Sequence, residues 1–67
     1  MEPQEIFELI VKADEKLKYA TSALEDVRRQ QARDLLERAR EAARAIGNDP
    51  LVQQAELRLT DLDDAQL

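Results

Sequence analysis

Leu17-Lys18-Tyr19-Ala20-Thr21-Ser22-Ala23-Leu24-Glu25-Asp26-Val27-Arg28 joins two amphipathic stretches and contains neither glycine nor proline. Upstream, Ile6, Ile10, Ala13, Leu17, Ala20 and Leu24 recur at alternating spacings of four and three, the period of an apolar seam that faces another helix. Downstream, Ala32, Leu35, Ala39, Ala42 and Ile46 resume the rhythm, with Leu36 and Ala43 widening the stripe. Between the two, Leu24, Arg28, Ala32 and Leu36 are separated by spacings of four. Such a run is a stutter-like irregularity that unwinds a supercoil locally.

Two architectures account for it. In one, the first helix ends near Ala20 or Thr21, and Ser22-Ala23-Leu24-Glu25 is a capping box that starts a second helix. In the other, a single helix covers residues 4–46, about 60 Å long at about 1.5 Å per residue. The hairpin is favoured because it covers one half of the seam with the other, whereas a rod leaves the seam wet unless copies associate. The expected fold is therefore all-α, a small three-helix domain in which an antiparallel helical hairpin precedes a shorter third helix. The alternative is one long N-terminal coiled-coil helix plus a short helix.

The ends of this region are more clearly punctuated. Glu2 and Pro3 open the first helix, because proline's missing N–H lacks an intrahelical partner in the first turn and Glu5 and Glu8 complement the positive end of the dipole. Gly47-Asn48-Asp49-Pro50 follows Ile46: glycine supplies a left-handed C′ position, Asp49 is placed to cap the next helix and Pro50 suits its first turn. Leu51, Val52, Ala55, Leu59 and Leu62 then form the apolar face of helix three. Asp61, Asp63 and Asp64 fall at that helix's negative end. Fraying is expected after Leu59, with residues 61–67 an acidic tail that is mobile or becomes helical when a partner holds it.

The 67 residues allow a single helical domain, 1–67, with a small core. A fold of that size gains from self-association. Without cysteine or histidine there is no thiolate, no disulfide and no imidazole base or ligand. The longest apolar run, Leu9 to Val11, is far too short to span a bilayer, and the N-terminus lacks the pattern of an export signal. A cytoplasmic location with no membrane partner is expected. Fifteen acidic and ten basic side chains leave a net charge of -5, which repels polyanions at long range.

The candidate functional residues follow from these faces. Phe7 and Val11 broaden the Ile6, Ile10, Ala13 and Leu17 seam, so one neighbouring helix need not cover both sectors. Contact with helix three would occupy them inside the domain. Otherwise Ile6, Phe7, Ile10, Val11 and Leu17 form a protein interface, flanked by Tyr19. Arg29, Arg33, Arg40 and Arg44 share a sector of about 60° on helix two at about 100° per residue. That stripe is the candidate contact for an acidic partner or nucleic acid.

Local pairing competes with that role. Glu25–Arg29, Arg33–Glu37 and Asp34–Arg38 are four apart, while Glu37–Arg40 and Glu41–Arg44 are three apart, spacings of a solvated helix laced with ion pairs. Arg28 falls on the apolar side, where its stem covers the seam and its head reaches water, or where it meets a carboxylate from another helix.

Asp14-Glu15, Glu25-Asp26 and Asp63-Asp64 are sequence neighbours that point in different directions on a helix. Nothing supplies them with the desolvated cleft that acid–base chemistry requires. Gly47 is the sole glycine, so there is no phosphate loop. Thr21, Ser22 and Thr60 have no histidine to activate them. No catalytic, cofactor-binding or metal-binding residues and no cofactor are expected, and the chain is not expected to be an enzyme.

Residues 35–50, Leu-Leu-Glu-Arg-Ala-Arg-Glu-Ala-Ala-Arg-Ala-Ile-Gly-Asn-Asp-Pro, followed by Ala55-Glu56-Leu57-Arg58-Leu59, resemble the inter-repeat junction of bacterial tetratricopeptide-like helical arrays. The resemblance covers the second half of the chain and implies a helix-turn-helix scaffold for protein binding, without catalysis. A full set of the family's large-residue and Gly/Tyr positions and a second copy of the unit are lacking. The functional expectation is a non-catalytic helical protein–protein interaction or assembly module that self-associates or binds another helical protein. The alternative is a small nucleic-acid-associated regulator using the arginine stripe, although the net charge disfavours nucleic acid.

Overall fold

In the computed structural model, residues 1–19 and 23–65 are described, Asp64 and Ala65 by their backbone alone. Three helices follow in order: α1 (Pro3–Lys18), α2 (Glu25–Ala45) and α3 (Asp49–Ala65). The longest dimension is 37 Å, well short of a 4–46 rod, so the irregularity between the seams is a chain reversal. α1 and α2 form the hairpin, and α3 returns along the other side of α2.

Each terminus has a local cause. At the start of α1, Pro3 occupies the first turn, and the Glu2 backbone N–H donates to Glu5 Oε1 at 3.1 Å. That bond satisfies a donor which the helix itself leaves orphaned. The helix ends at Lys18, slightly before the expected Ala20 or Thr21, with the Tyr19 N–H donating to the Glu15 carbonyl at 3.1 Å. α2 begins at Glu25 with Leu24 as its N-cap residue and no side-chain cap. The expected Ser22 cap and the Ala20 position of the seam lie outside the described residues, as does Leu67.

The second turn is closed by backbone geometry. Gly47 has φ of +68°, the left-handed conformation that costs other residues Cβ–carbonyl crowding. Its N–H donates to the Arg44 carbonyl at 3.1 Å and that of Asn48 to the Ala43 carbonyl at 2.9 Å, the bond pair of a Schellman motif. Asn48 also begins α3: its Oδ1 accepts from the Leu51 N–H at 3.3 Å. The cap is thus Asn48 rather than Asp49, which is already the first residue of the helix with Pro50 second. One asparagine closes α2 through its amide and opens α3 through its side chain, so no linker intervenes.

The core is built from Ile6, Ile10 and Ala13 of α1, Ala32, Leu36, Ala39 and Ala43 of α2, and Leu51, Ala55, Leu59 and Leu62 of α3. Its largest fully buried side chains are Ile6, Ile10 and Leu36. The alanines among them let the helix axes approach closely while each removes little apolar area from water. On α2 the buried line runs through Leu36 and Ala43. Leu35 and Ala42 are half-buried, and Ile46 is 42% exposed. This corrects the expected phase: α2 serves α1 and α3 at once, so its inward line falls between their two contacts.

Helix three is not shorter than helix one. It has 17 residues against 16 and remains helical through Ala65 instead of fraying after Leu59. Leu62 is buried and Asp63 reaches Arg33 of α2 at 2.7 Å, so apolar docking and an ion pair offset the unfavourable carboxylates at the negative end. Among the described residues no helix is long and apolar enough to cross a membrane.

Candidate functional site

The five expected interface residues separate into two groups. Ile6 and Ile10 are fully covered by the chain's own helices and Leu17 is half-covered, whereas Phe7 and Val11 are 47% and 37% exposed. Four residues apart on α1, Phe7 and Val11 share a face. Contact with α3 does not absorb them, because α1 and α3 each pack chiefly on α2 and meet one another only lightly. Their polar link is Arg58 Nε, which donates to Asp14 Oδ1 at 2.9 Å and Oδ2 at 3.2 Å.

The arginine stripe remains together on one side of α2, and each member lies beside a carboxylate. Arg29 meets Glu25 at 2.7 Å, and Arg44 meets Glu41 at 3.4 Å and Glu56 of α3 at 3.2 Å. Arg33 reaches across to Asp63 of α3 rather than to Glu37. Arg40 Nε is buried without a hydrogen bond and lies 3.6 Å from Glu41, so the expected Glu37–Arg40 pair is not formed. Asp34 accepts from Gln30 Nε2 at 3.0 Å instead of pairing with Arg38. Two of the four guanidinium groups thus join α2 to α3, and the stripe is the polar border of that packing.

The carboxylate neighbours are similarly engaged. Asp14 holds Arg58, Glu25 holds Arg29 and Asp63 holds Arg33, contacts of a structural kind. Among the described residues no group of His, Cys, Asp or Glu is arranged to hold a metal ion.

A cluster that the spacing did not suggest lies on the other edge of the hairpin. Lys12, Glu15, Lys16 and Tyr19 of α1 and its C-terminal border line a recess of about 380 Å³ with Arg28 of α2. Lys12, Lys16 and Arg28 have no carboxylate within ion-pair distance among the described residues. Arg28 is half-buried, which fits a stem laid over the seam with its head at the recess and leaves the carboxylate-pair alternative without a partner. Lys18, alongside, has its Nζ 5.5 Å from the Tyr19 ring centroid, within cation–π range. Only the hairpin brings Arg28 beside Lys16, so the signal was absent from any window of helical spacing.

Comparison with known proteins finds no matching family model, and neither a curated protein nor a solved structure shows significant similarity to the chain.

Proposed function

We propose that this chain is a non-catalytic helical protein–protein interaction module that self-associates through the Phe7 and Val11 face of α1. The observation that carries this reading is the contrast within one helix: Ile6 and Ile10 are fully buried, while Phe7 and Val11, each one position further on, keep large apolar area in water. Covering that area is favourable at about 25 cal/mol per Å² before association costs are subtracted. A core this rich in alanine leaves room for such a gain to matter. The resemblance of residues 35–59 to tetratricopeptide-like junctions belongs to the same proposal, since such scaffolds bind proteins without a cofactor. A nucleic-acid role for the arginine stripe has less support, because its charges lie beside Glu25, Glu41, Glu56 and Asp63.

Light scattering over a concentration series tests the reading. The apparent mass should rise above the 7.7 kDa of one chain, and Phe7→Gln/Val11→Gln should hold it at one chain while the far-ultraviolet helical signal persists. A parent protein that stays at the mass of one chain throughout the series overturns self-association.

A further inference from the structure

We propose that the cationic recess between the second half of α1 and the start of α2 docks a carboxylate-bearing helical segment of a partner protein, with Lys12, Lys16 and Arg28 as its anchors. Lys12 and Lys16 lie between about 100° and 180° around α1 from Phe7 and Val11, so the anchoring cations point away from the self-association surface, while Glu15 and Tyr19 stand between the two.

The first argument is the distribution of unpaired charge. Among the described residues, five of the ten basic side chains form ion pairs: Arg29, Arg33, Arg40, Arg44 and Arg58. Three of the other five line this one recess. They are gathered at a cost to the isolated chain. Lys12 and Lys16 are like charges one helical turn apart, an arrangement that destabilises a helix. Arg28 is the fourth residue of α2, near the positive end of that helix dipole, where a cation is disfavoured. The end of α1 favours Lys16 and Lys18 but not Lys12, and the packing of the Arg28 stem on the seam does not account for its charge. A carboxylate placed among the three removes each unfavourable term together.

The second argument selects the occupant. Leu24 and Val27, 45% and 54% exposed, lie four and one residues before Arg28 at the start of α2, and Tyr19 is among the residues lining the recess. An amphipathic acidic helix would cover that apolar area while its carboxylates reach the cations, and the Tyr19 hydroxyl is available to donate to a carboxylate oxygen. A free phosphate would leave the apolar area wet. A nucleic-acid strand would bring a long row of negative charges against a chain of net charge -5. At physiological ionic strength the screening length is about 8 Å, so the recess acts on the groups seated in it while the net charge repels polyanions approaching from farther away.

Fluorescence anisotropy tests the proposal with a labelled amphipathic helical peptide bearing Glu on its polar face and Leu on the other, and with its Glu-to-Gln twin. At low salt the Glu peptide should bind saturably, and the twin about tenfold or more weaker. Lys12→Gln/Lys16→Gln/Arg28→Gln should weaken binding by a similar factor. The single charge reversal Lys16→Glu should also weaken it, and Lys12→Arg/Lys16→Arg should retain it, with helicity followed by circular dichroism in every variant. Arg29→Gln/Arg40→Gln should have little effect, and binding should persist in Phe7→Gln/Val11→Gln. Any of four results overturns the assignment: no saturable binding of the Glu peptide, unchanged binding by the triple Gln variant, loss of binding in Phe7→Gln/Val11→Gln, or tighter binding of oligothymidylate or inorganic phosphate than of the peptide.

Discussion

Along α2, Arg29, Arg33, Arg40 and Arg44 each lie within ion-pair distance of a carboxylate, whereas Lys12, Lys16 and Arg28 toward the turn end of the hairpin have no such partner among the described residues. Local sequence does not separate the two sets. Glu8 precedes Lys12 by four residues and Glu25 precedes Arg28 by three, spacings as favourable as those around the stripe. Arg29 and Arg40 find Glu25 and Glu41 on α2 itself; for Arg33 and Arg44 what differs is the surface opposite. α3 carries Glu56 and Asp63 against the stripe, while no third helix closes the α1–α2 edge where the recess lies. Whether Arg33 and Arg44 are spent is therefore decided by the helix that packs beside them.

The largest effect that tests this contrast lies beneath the stripe. Leu36 is fully buried where α2 receives its neighbours, and Leu36→Ala should cost about 2–5 kcal/mol. A domain of this size has only about 3–10 kcal/mol at about 0.05–0.15 kcal/mol per residue, so urea denaturation followed by circular dichroism should show a large fall in midpoint or an unfolded protein. Loss of the α3 contacts would release Arg33 and Arg44 and erase the difference between the regions. A midpoint equal to that of the parent would mean that Leu36 does not hold the core.

A smaller effect belongs to the turn that aims α3 at the stripe. A Cβ on Gly47 would meet nothing within 4 Å, so crowding by neighbours is absent and the backbone conformation alone penalises Gly47→Ala. The expected loss is about 1–2 kcal/mol. Gly47→Asn should recover part of it, because asparagine tolerates the left-handed region better than alanine. Denaturation curves in which alanine and glycine are equivalent would remove the conformational account of this turn.

How much of this was legible depends on whether the cause is local. The seam through Ile6, Ile10 and Ala13, the Gly47 turn and the face of helix three follow from periodicity and backbone chemistry that nearby residues contain. The phase of α2 does not: Leu35 and Leu36 are both apolar and about 100° apart, and the direction from which α3 arrives selects Leu36 for the core. The same holds for Arg33, whose nearer candidate Glu37 loses to Asp63, thirty positions away in sequence. At the interface, spacing grouped Ile6 and Ile10 with Phe7 and Val11, and only packing distinguishes side chains used inside the domain from those left outside. The recess was the least legible, since it joins residues from two helices across a reversal.

The smallest expected effect is the sharpest test, because the same chemical change is made in both regions. Arg33→Gln removes the Asp63 partner, and exposed pairs of this kind contribute about 0.2–1 kcal/mol. The lower half of that range is expected, since the Asp63 side chain is 62% exposed. Arg28→Gln removes a cation that has no carboxylate partner among the described residues and shares a recess with two lysines, so stability should stay level or rise slightly. Paired urea curves at low and high salt separate the cases. The gap between the variants should narrow as the screening length falls from about 30 Å at 0.01 M to about 3 Å at 1 M, because screening weakens both the attraction lost in one and the repulsion relieved in the other. Adding Asp63→Asn to Arg33→Gln should cost less than the sum of the two changes, the signature of a direct pair. If Arg28→Gln instead destabilises the chain as much as Arg33→Gln, then Arg28 holds the fold together and is no anchor waiting for a partner.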